Sequence, residues 1–296
     1  YSLGQNFLVN EAIVAKIVAL AELEGADNVL EIGPGIGTLT MALLQNAKHV
    51  TSIERDTDLP AVLAETLEPW WDSLTLIQKD ALDLQLSDLD GQEAPNKLVA
   101  NLPYAVAATV VLDYFQRIES LESATVMVQK EVADRIAAEP GTKNYGAYTV
   151  KLQLFAQVVG RFQVPPRSFF PEPHVESAVV RLQRVPACDA LSEEDAAATV
   201  EVVDAAFAQR RKTLRNSMAA CEKWERAQLD AAFDLMAIDG GCRAESLTKD
   251  QFIGLALALR DGAVPERYRP AESSAPAAAK KCAKPKKKRA VFDPDM

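Results

Sequence analysis

The chain has 296 residues, of which 48% are hydrophobic and 25% charged, and its formal net charge is −10 at pH 7. This length allows one full-size catalytic domain and a smaller second one, and no apolar run is long enough to predict a membrane span. Two distant histidines and four cysteines without paired spacing argue against a metal site or a Ser-His-Asp triad, and they indicate free thiols in a cytoplasmic protein.

The predicted elements begin with an amphipathic helix that Asn10 caps and that extends to about residue 23. Strand and helix patterns then alternate, which is typical of a parallel sheet wrapped by helices. A Pro-rich connection, VPPRSFFPEP, separates the last two strands and is too short and stiff for a crossover helix. We therefore expect those two strands to form an antiparallel pair at one end of the sheet. The predicted strands cover residues 28–32, 49–53, 74–77, 97–100, 124–129, 149–159 and 176–182.

Strand patterns stop after about residue 185, and two capping-box sequences, SEED at 192–195 and TKDQ at 248–251, precede apolar helical runs. This stretch predicts a small all-helical domain. Pro, Ala, Ser and Lys dominate the end of the chain, which includes KKCAKPKKKR at 280–289. The predicted organisation is a catalytic domain at 1–187, a helical domain at 188–262 and a disordered basic tail at 263–296.

A glycine loop follows the first predicted strand of the sheet, where residues 29–40 read VLEIGPGIGTLT. Gly33, Gly35 and Gly37 permit a sharp turn and the close approach of a ligand to the backbone. Their G-x-G-x-G spacing differs from the G-x-G-x-x-G of dinucleotide sites, and no Lys-Ser/Thr pair follows as in a P-loop. A tight turn without any ligand is the alternative interpretation of this loop taken alone.

Two acidic residues stand at the ends of the next strands. Glu54 is placed to accept hydrogen bonds from both hydroxyls of a ribose, and Asp80 is placed to accept a hydrogen bond from an adenine amino group. Either residue alone is more typical of a solvated strand end. Together with the glycine loop they predict a nucleoside pocket that suits S-adenosylmethionine better than NAD.

The sequence NLPY, from Asn101 to Tyr104, follows the fourth strand. The Asn101 side-chain oxygen and the Leu102 carbonyl can accept from an exocyclic amine, Pro103 holds the backbone rigid, and Tyr104 can stack on a base. Two acceptors would orient the weakly nucleophilic adenine nitrogen without a metal or a strong base. A simple proline turn without a binding role is the alternative interpretation of NLPY, and the predicted nucleoside pocket before it argues against that alternative.

These motifs together resemble the ribosomal RNA adenine dimethyltransferase family. The resemblance covers roughly residues 1–260 and rests on LGQNFL, EIGPGIGTLT, IERD, NLPY and VPPRSFFPEPHVESAVVRL, while AFAQRRKTLRNSM resembles its small-subunit branch. It implies an α/β fold with a Rossmann-like S-adenosylmethionine-dependent methyltransferase sheet and a small all-helical C-terminal domain. It also implies dimethylation of the N6 amines of two adjacent adenosines near the 3′ end of small-subunit (16S) rRNA, late in small-subunit assembly.

The same resemblance implies roles for further residues. Asn6 and Leu8 would contact the cofactor, together with Gly33, Glu54, Asp80 and Asn101. Phe169 would close the pocket opposite Tyr104, although a core position is an equally good interpretation of that phenylalanine. The implied partner is the small ribosomal subunit, and we expect a monomer without membrane association.

A basic cluster formed by Arg210, Arg211, Lys212 and Arg215 stands out in an acidic chain and predicts contact with RNA phosphates. Two rival functions remain open at this point. A methyltransferase of large-subunit rRNA would share the pocket, and an assembly factor would share the RNA contacts without relying on catalysis. A third, a dinucleotide-dependent oxidoreductase, fails, because both the loop spacing and a proton-transferring histidine are missing.

Overall fold

The computed structural model describes residues 6–186 and 189–270. Its centre is a seven-stranded sheet in the order β4-β3-β2-β5-β6-β9-β7, and a two-stranded ribbon of β1 and β8 stands apart from it. The strands are β1 (Phe7–Leu8), β2 (Asn28–Ile32), β3 (His49–Glu54), β4 (Leu74–Gln78), β5 (Lys97–Asn101), β6 (Ser123–Gln129), β7 (Ala156–Val164), β8 (Phe169–Phe170) and β9 (Ser177–Arg184).

Helices cover both faces of the sheet and then form a separate group after β9. The helices are α1 (Glu11–Ala21), α2 (Thr38–Leu44), α3 (Leu59–Thr66), α4 (Ala107–Arg117), α5 (Lys130–Ile136), α6 (Ala147–Gln153), α7 (Glu193–Phe207), α8 (Leu214–Ala219), α9 (Arg226–Leu235) and α10 (Lys249–Asp261). Apolar residues of α1, α2 and α3 pack on one face of the sheet, and those of α4 and α5 pack on the other. The predicted α/β fold with a Rossmann-like sheet and a following helical region is confirmed.

The parallel strands β4, β3, β2, β5 and β6 all end at the same edge of the sheet. The chain order reverses between β2 and β5, which hydrogen bond as neighbours. Such a reversal opens a crevice beyond the carboxyl ends of the strands, where open α/β sheets bind their ligands. The glycine loop, Glu54, Asp80 and NLPY all follow these strand ends.

Local sequence signals explain the termini of several helices. The Asn10 side chain accepts from the backbone N–H groups of Ala12 and Ile13, as expected for the predicted cap of α1. Thr248 and Gln251 form the predicted reciprocal capping box at the start of α10. The Pro-rich connection also behaves as expected, because β7 and β9 pair antiparallel at the end of the sheet.

The predicted strand at 149–159 is wrong for its first half, since residues 147–153 form α6 and β7 begins only at Ala156. The alternation of apolar and polar residues there is typical of a strand, but tertiary contacts favour a helix. Val150 is fully buried in the core of the helical region, and the Thr149 hydroxyl donates to the Arg135 carbonyl at 2.8 Å. The helical region therefore packs directly on a segment of the predicted catalytic domain.

The start of the predicted disordered tail also differs from the structure. Val264 is buried, and Tyr268 packs against the helical core. The Arg269 guanidinium donates to the Val264 carbonyl at 2.8 Å, which closes this short segment on itself. Apolar side chains thus hold residues 264–269 against the helices, and the remainder of the predicted tail, 271–296, lies outside the described residues.

Candidate functional site

A cavity of about 390 Å³ lies beyond the carboxyl ends of β2, β3, β4 and β5. This volume is ordinary for a site that binds a small molecule. Every residue that the sequence analysis assigned to the cofactor or the target base lines it, namely Asn6, Leu8, Gly33, Glu54, Asp80, Asn101, Leu102, Pro103, Tyr104 and Phe169. The structure therefore brings both predicted sets together in one cavity.

The glycine loop forms the floor of the cavity. Gly33, Gly35 and Gly37 have φ values of +68°, +59° and +89°, in the left-handed region of backbone conformation that residues with a side chain rarely adopt. A Cβ built on Gly33 would lie 3.9 Å from both the Asn101 carbonyl oxygen and the Pro103 ring. The predicted cofactor loop therefore runs beside the predicted catalytic motif, with room for little more than a methyl group between them.

Glu54 lies at the end of β3 and is almost completely buried. Burial raises the pKa of its carboxyl, an effect that hydrogen bonds from the Asp56 and Gly35 backbone partly offset. The Asp56 N–H donates to Glu54 Oε1 at 2.7 Å, which orients the carboxylate at the cavity wall. A carboxylate accepts up to about four hydrogen bonds, so this group retains capacity for ligand hydroxyls.

Asp80 follows β4 and is held from two sides. The Leu82 N–H donates to Asp80 Oδ1 at 3.0 Å, and the Arg55 guanidinium donates to Oδ2 at 3.0 Å. The backbone bond and Arg55 lower the pKa of this carboxyl, so it is an ionised acceptor at neutral pH. Arg55 also lines the cavity and was not identified as a site residue from the sequence.

Glu31 lies at the inner wall of the cavity and is fully buried. Burial raises the pKa of its carboxyl to about 7, although the Ser52 hydroxyl, which donates to Glu31 Oε2 at 2.7 Å, lowers it. The sequence analysis did not select this residue. Its position two residues before Gly33, in EIGPG, is the signal that could have identified it.

The NLPY motif connects β5 to α4 along one wall of the cavity. The Asn101 amide donates a long hydrogen bond of 3.5 Å to the Asn6 carbonyl, which leaves the side-chain oxygen to accept from a ligand. The Tyr104 hydroxyl lies 2.7 Å from Ser177 Oγ at the start of β9, which fixes the ring at the cavity wall. Two different sheet strands thus position the two polar side chains of this motif.

The ribbon of β1 and β8 covers the remaining side. Leu8 lies opposite Phe169, and the Val9 N–H donates to the Ser168 carbonyl at 3.0 Å. Phe169 is only 3% exposed and lines the cavity, so it is both a packed residue and a wall of the site. The two interpretations of this phenylalanine are therefore compatible.

The lining fits a nucleoside-containing cofactor by its donor and acceptor chemistry. Two ionised or ionisable carboxylates, Glu54 and Asp80, face the cavity from adjacent strands, where hydroxyl and amino groups of a nucleoside would donate. Apolar side chains between them, including Ile32 and Ile53, offer contact to a base or an alkyl chain. In residues 6–186 and 189–270, no group of three or more His, Cys, Asp or Glu is arranged to hold a metal ion.

The predicted RNA contacts divide into two kinds. Arg210, Arg211 and Lys212 are exposed in the turn between α7 and α8, and none of them has an ion pair among the residues that the structure describes. Arg215 instead pairs with Asp230 at 2.7 Å and lies over the Phe233 ring. Arg215 is therefore tied to α9, although its side chain stays 43% exposed, and its predicted contact with RNA stays a prediction.

The sequence matches the model of the Ribosomal RNA adenine dimethylase family over residues 1–261. The chain belongs to this family. It is thus a methyltransferase that acts on ribosomal RNA adenine, and the predicted family resemblance is confirmed. Among the described residues, none of its helices has the length and apolar character needed to cross a membrane.

Similar proteins with curated names include two bacterial enzymes, each called Ribosomal RNA small subunit methyltransferase A. The one from Magnetococcus marinus is 45% identical over 257 residues, which cover 86% of this chain and 89% of the relative. The one from Lactiplantibacillus plantarum is 42% identical over 265 residues, covering 87% and 89%.

Two solved structures share the fold over most of the chain. The dimethyladenosine transferase from Plasmodium falciparum has a TM-score of 0.72 at 25% identity, covering 84% of this chain and 95% of that one. The 23S rRNA methyltransferase ErmE has a TM-score of 0.67 at 28% identity, covering 86% and 99%. Since these two named activities share one fold, the fold does not decide which ribosomal RNA is the substrate.

Proposed function

We propose that this member of the dimethylase family binds S-adenosylmethionine and dimethylates N6 of two adjacent adenosines near the 3′ end of small-subunit rRNA, late in subunit assembly. The observation that carries the proposal is the cavity that the glycine loop and NLPY line side by side. The small-subunit names of relatives at 40–45% identity support the choice of substrate. We further propose that the protein acts as a monomer in the cytoplasm.

In the proposed complex, Glu54 accepts from the ribose hydroxyls and Asp80 from the adenine amino group of the cofactor. Asn6 and Leu8 contact the cofactor, and Gly33 lies against its amino-acid part. When bound, S-adenosylmethionine supplies an electrophilic methyl group to the cavity. The chain's own contribution is to place a target adenine against that group and to exclude water from the space between them.

The target adenine would lie between the Tyr104 and Phe169 rings. The Asn101 side-chain oxygen and the Leu102 carbonyl accept the two N6 hydrogens and so direct the nitrogen lone pair into the cavity. As N6 takes the methyl group, the methyl carbon–sulfur bond of the cofactor would break and S-adenosylhomocysteine would leave. Positive charge would develop on N6, and the same acceptors would stabilise it before a proton leaves to solvent. Because the adenine must leave its stack to enter, the target nucleotide is flipped or unpaired.

The first experiment measures methyl transfer from labelled S-adenosylmethionine to unmodified small subunits, large subunits and naked rRNA, with the modified positions mapped. Label on two adjacent adenines of the small subunit is the expected result. Label on the large subunit would instead support the second candidate activity, methylation of large-subunit rRNA, the activity named for ErmE, which shares this fold. Small-subunit binding without label anywhere would favour the assembly-factor interpretation.

Replacement of Asn101 tests the chemistry inside the cavity. Asn101→Ala should reduce methyl transfer about 100-fold or more while lowering cofactor affinity much less than Asp80→Ala does, because the lost acceptor chiefly orients the amine. Asp80→Ala is the matched variant, and it should weaken cofactor binding. Normal turnover of Asn101→Ala would contradict the assigned role of NLPY.

The exposed cations of the α7–α8 turn are the proposed phosphate contacts. Changing Arg210, Arg211 and Lys212 to Ala should weaken small-subunit binding and reduce the slope of log affinity against log salt by about two to three. Lys16→Ala, which removes an exposed cation from α1, is the control. An unchanged salt slope in the triple variant would exclude these residues from the RNA contact.

A further inference from the structure

The ribbon of β1 and β8 carries two neighbouring phenylalanines with opposite environments. Phe169 is 3% exposed and lines the cavity, whereas Phe170 is 71% exposed. No other large apolar side chain in the described part of the chain is as exposed as Phe170. The ring is therefore held in water immediately beside a site that takes an adenine.

The pairing of the ribbon determines where the Phe170 ring lies. Phe170 is directly opposite Phe7 in the antiparallel pair, and opposite residues point to the same face of a ribbon. Phe7 itself lines the cavity, and its ring is 3.1 Å from the position that a Cβ on Gly35 would take. Phe170 is thus at the rim of the cavity, beside a ring that covers the glycine loop.

An RNA strand that places one base inside the cavity must run its neighbouring nucleotides across this rim. Single-stranded bases bind proteins largely by stacking on aromatic rings, and this contact tolerates any base. We propose, on the basis of the proposed function, that Phe170 stacks on the base of the nucleotide adjacent to the one held between Tyr104 and Phe169. In a substrate with two adjacent adenosines, Phe170 holds one adenine while the other is methylated.

This role makes a specific kinetic prediction. Phe170→Ala should raise the KM for small subunits about tenfold, as expected for loss of one base stack, with kcat changed less than twofold. Phe170→Leu keeps an apolar side chain on the ribbon but has no aromatic face, so it should behave like Phe170→Ala. Phe170→Trp should retain a wild-type KM.

Four further measurements separate stacking from a structural role. S-adenosylmethionine affinity, measured by calorimetry, and the melting temperature should match the wild type in all three Phe170 variants. Trp71→Ala removes another exposed aromatic ring, 42% exposed and outside the cavity lining, and should leave the KM unchanged. The ratio of label on the two adenosines should shift in Phe170→Ala, because their placement is coupled through this ring.

The results that would overturn the proposal are distinct from those that would overturn the function. If wild-type protein methylates small subunits and Phe170→Ala does so with an unchanged KM, only the Phe170 role is wrong. The role is also wrong if cofactor affinity falls in parallel with the KM effect, because Phe170 would then act through Phe7. If the wild type transfers no methyl group to small subunits, both proposals fail together.

Discussion

Glu31 offers a test of the site's electrostatics that needs no ligand. Its carboxyl is fully buried at the end of β2, and burial raises its pKa from 4.5 to about 7. At about 1.4 kcal/mol per pH unit, this rise corresponds to about 3 kcal/mol of free energy of unfolding. Glu31→Gln removes the titration and keeps a side chain of the same shape that can accept from Ser52.

The direction of the effect follows from which state holds the proton. Below pH 4.5 both the folded and unfolded forms of Glu31 are protonated, so the wild type has its full stability. Between pH 4.5 and about 7 the unfolded chain releases the proton while the folded chain retains it, so rising pH destabilises the wild type. Glu31→Gln should therefore gain stability relative to the wild type over this range, by up to about 3 kcal/mol, and the difference should level off above pH 7.

Urea unfolding of the ligand-free proteins at pH 5, 6, 7 and 8 measures this difference directly. Ser52→Ala is the matched control, since losing the hydroxyl that lowers the Glu31 pKa should enlarge the pH dependence. The reasoning fails if the stability difference between Glu31→Gln and the wild type changes by less than about 1 kcal/mol between pH 5 and pH 8.

Three other consequences of the structure can be measured. Burial raises the Glu54 pKa above its ordinary 4.5, so this acceptor becomes protonated at a higher pH than an exposed glutamate does. As the pH is lowered, S-adenosylmethionine affinity should therefore begin to fall earlier than it would with an exposed glutamate. Calorimetry should find no such pH dependence in Glu54→Gln. Gly35→Ala should weaken cofactor binding, because the new Cβ would lie 3.1 Å from the Phe7 ring. Gly91→Ala, with φ +84° and no neighbour within 4 Å, should cost only about 1 kcal/mol of stability. Equal cofactor affinity in the two variants would contradict the predicted clash with Phe7. Arg215→Ala should lower the free energy of unfolding by about 1 kcal/mol, because the ion pair with Asp230 and the contact with the Phe233 ring are lost. Arg211→Ala should leave the melting temperature unchanged. A loss of stability in Arg211→Ala with none in Arg215→Ala would contradict these roles.

Most of the cavity could be predicted from the sequence because its residues follow strand ends. A parallel sheet brings the carboxyl ends of its strands to one edge, so Gly33, Glu54, Asp80 and Asn101 had to meet once the strands were recognised. Asn6 and Leu8 could be assigned only through the family resemblance, because no local pattern in the sequence shows that β1 pairs with β8 over the cavity.

Residues whose surroundings come from distant parts of the chain were harder to predict. The alternating pattern at 149–159 predicts a strand, but Val150 is buried in the helical core and its segment becomes α6. Arg215 is indistinguishable in sequence from its basic neighbours, yet only Arg215 reaches Asp230 in α9. Such contacts depend on packing between helices and leave no short-range signal.

The amino-acid sequence alone determined the α/β fold, the functional residues at the ends of successive strands, and the family. It could do so because glycine turns, strand-end acids and NLPY are local features with fixed chemistry. Only the tertiary structure decided which groups are buried or exposed. It placed Glu31 out of reach of water, which raises its pKa, and it left Phe170 exposed at the rim of the cavity. Burial is a property of the packed chain as a whole, so no short sequence pattern specifies it.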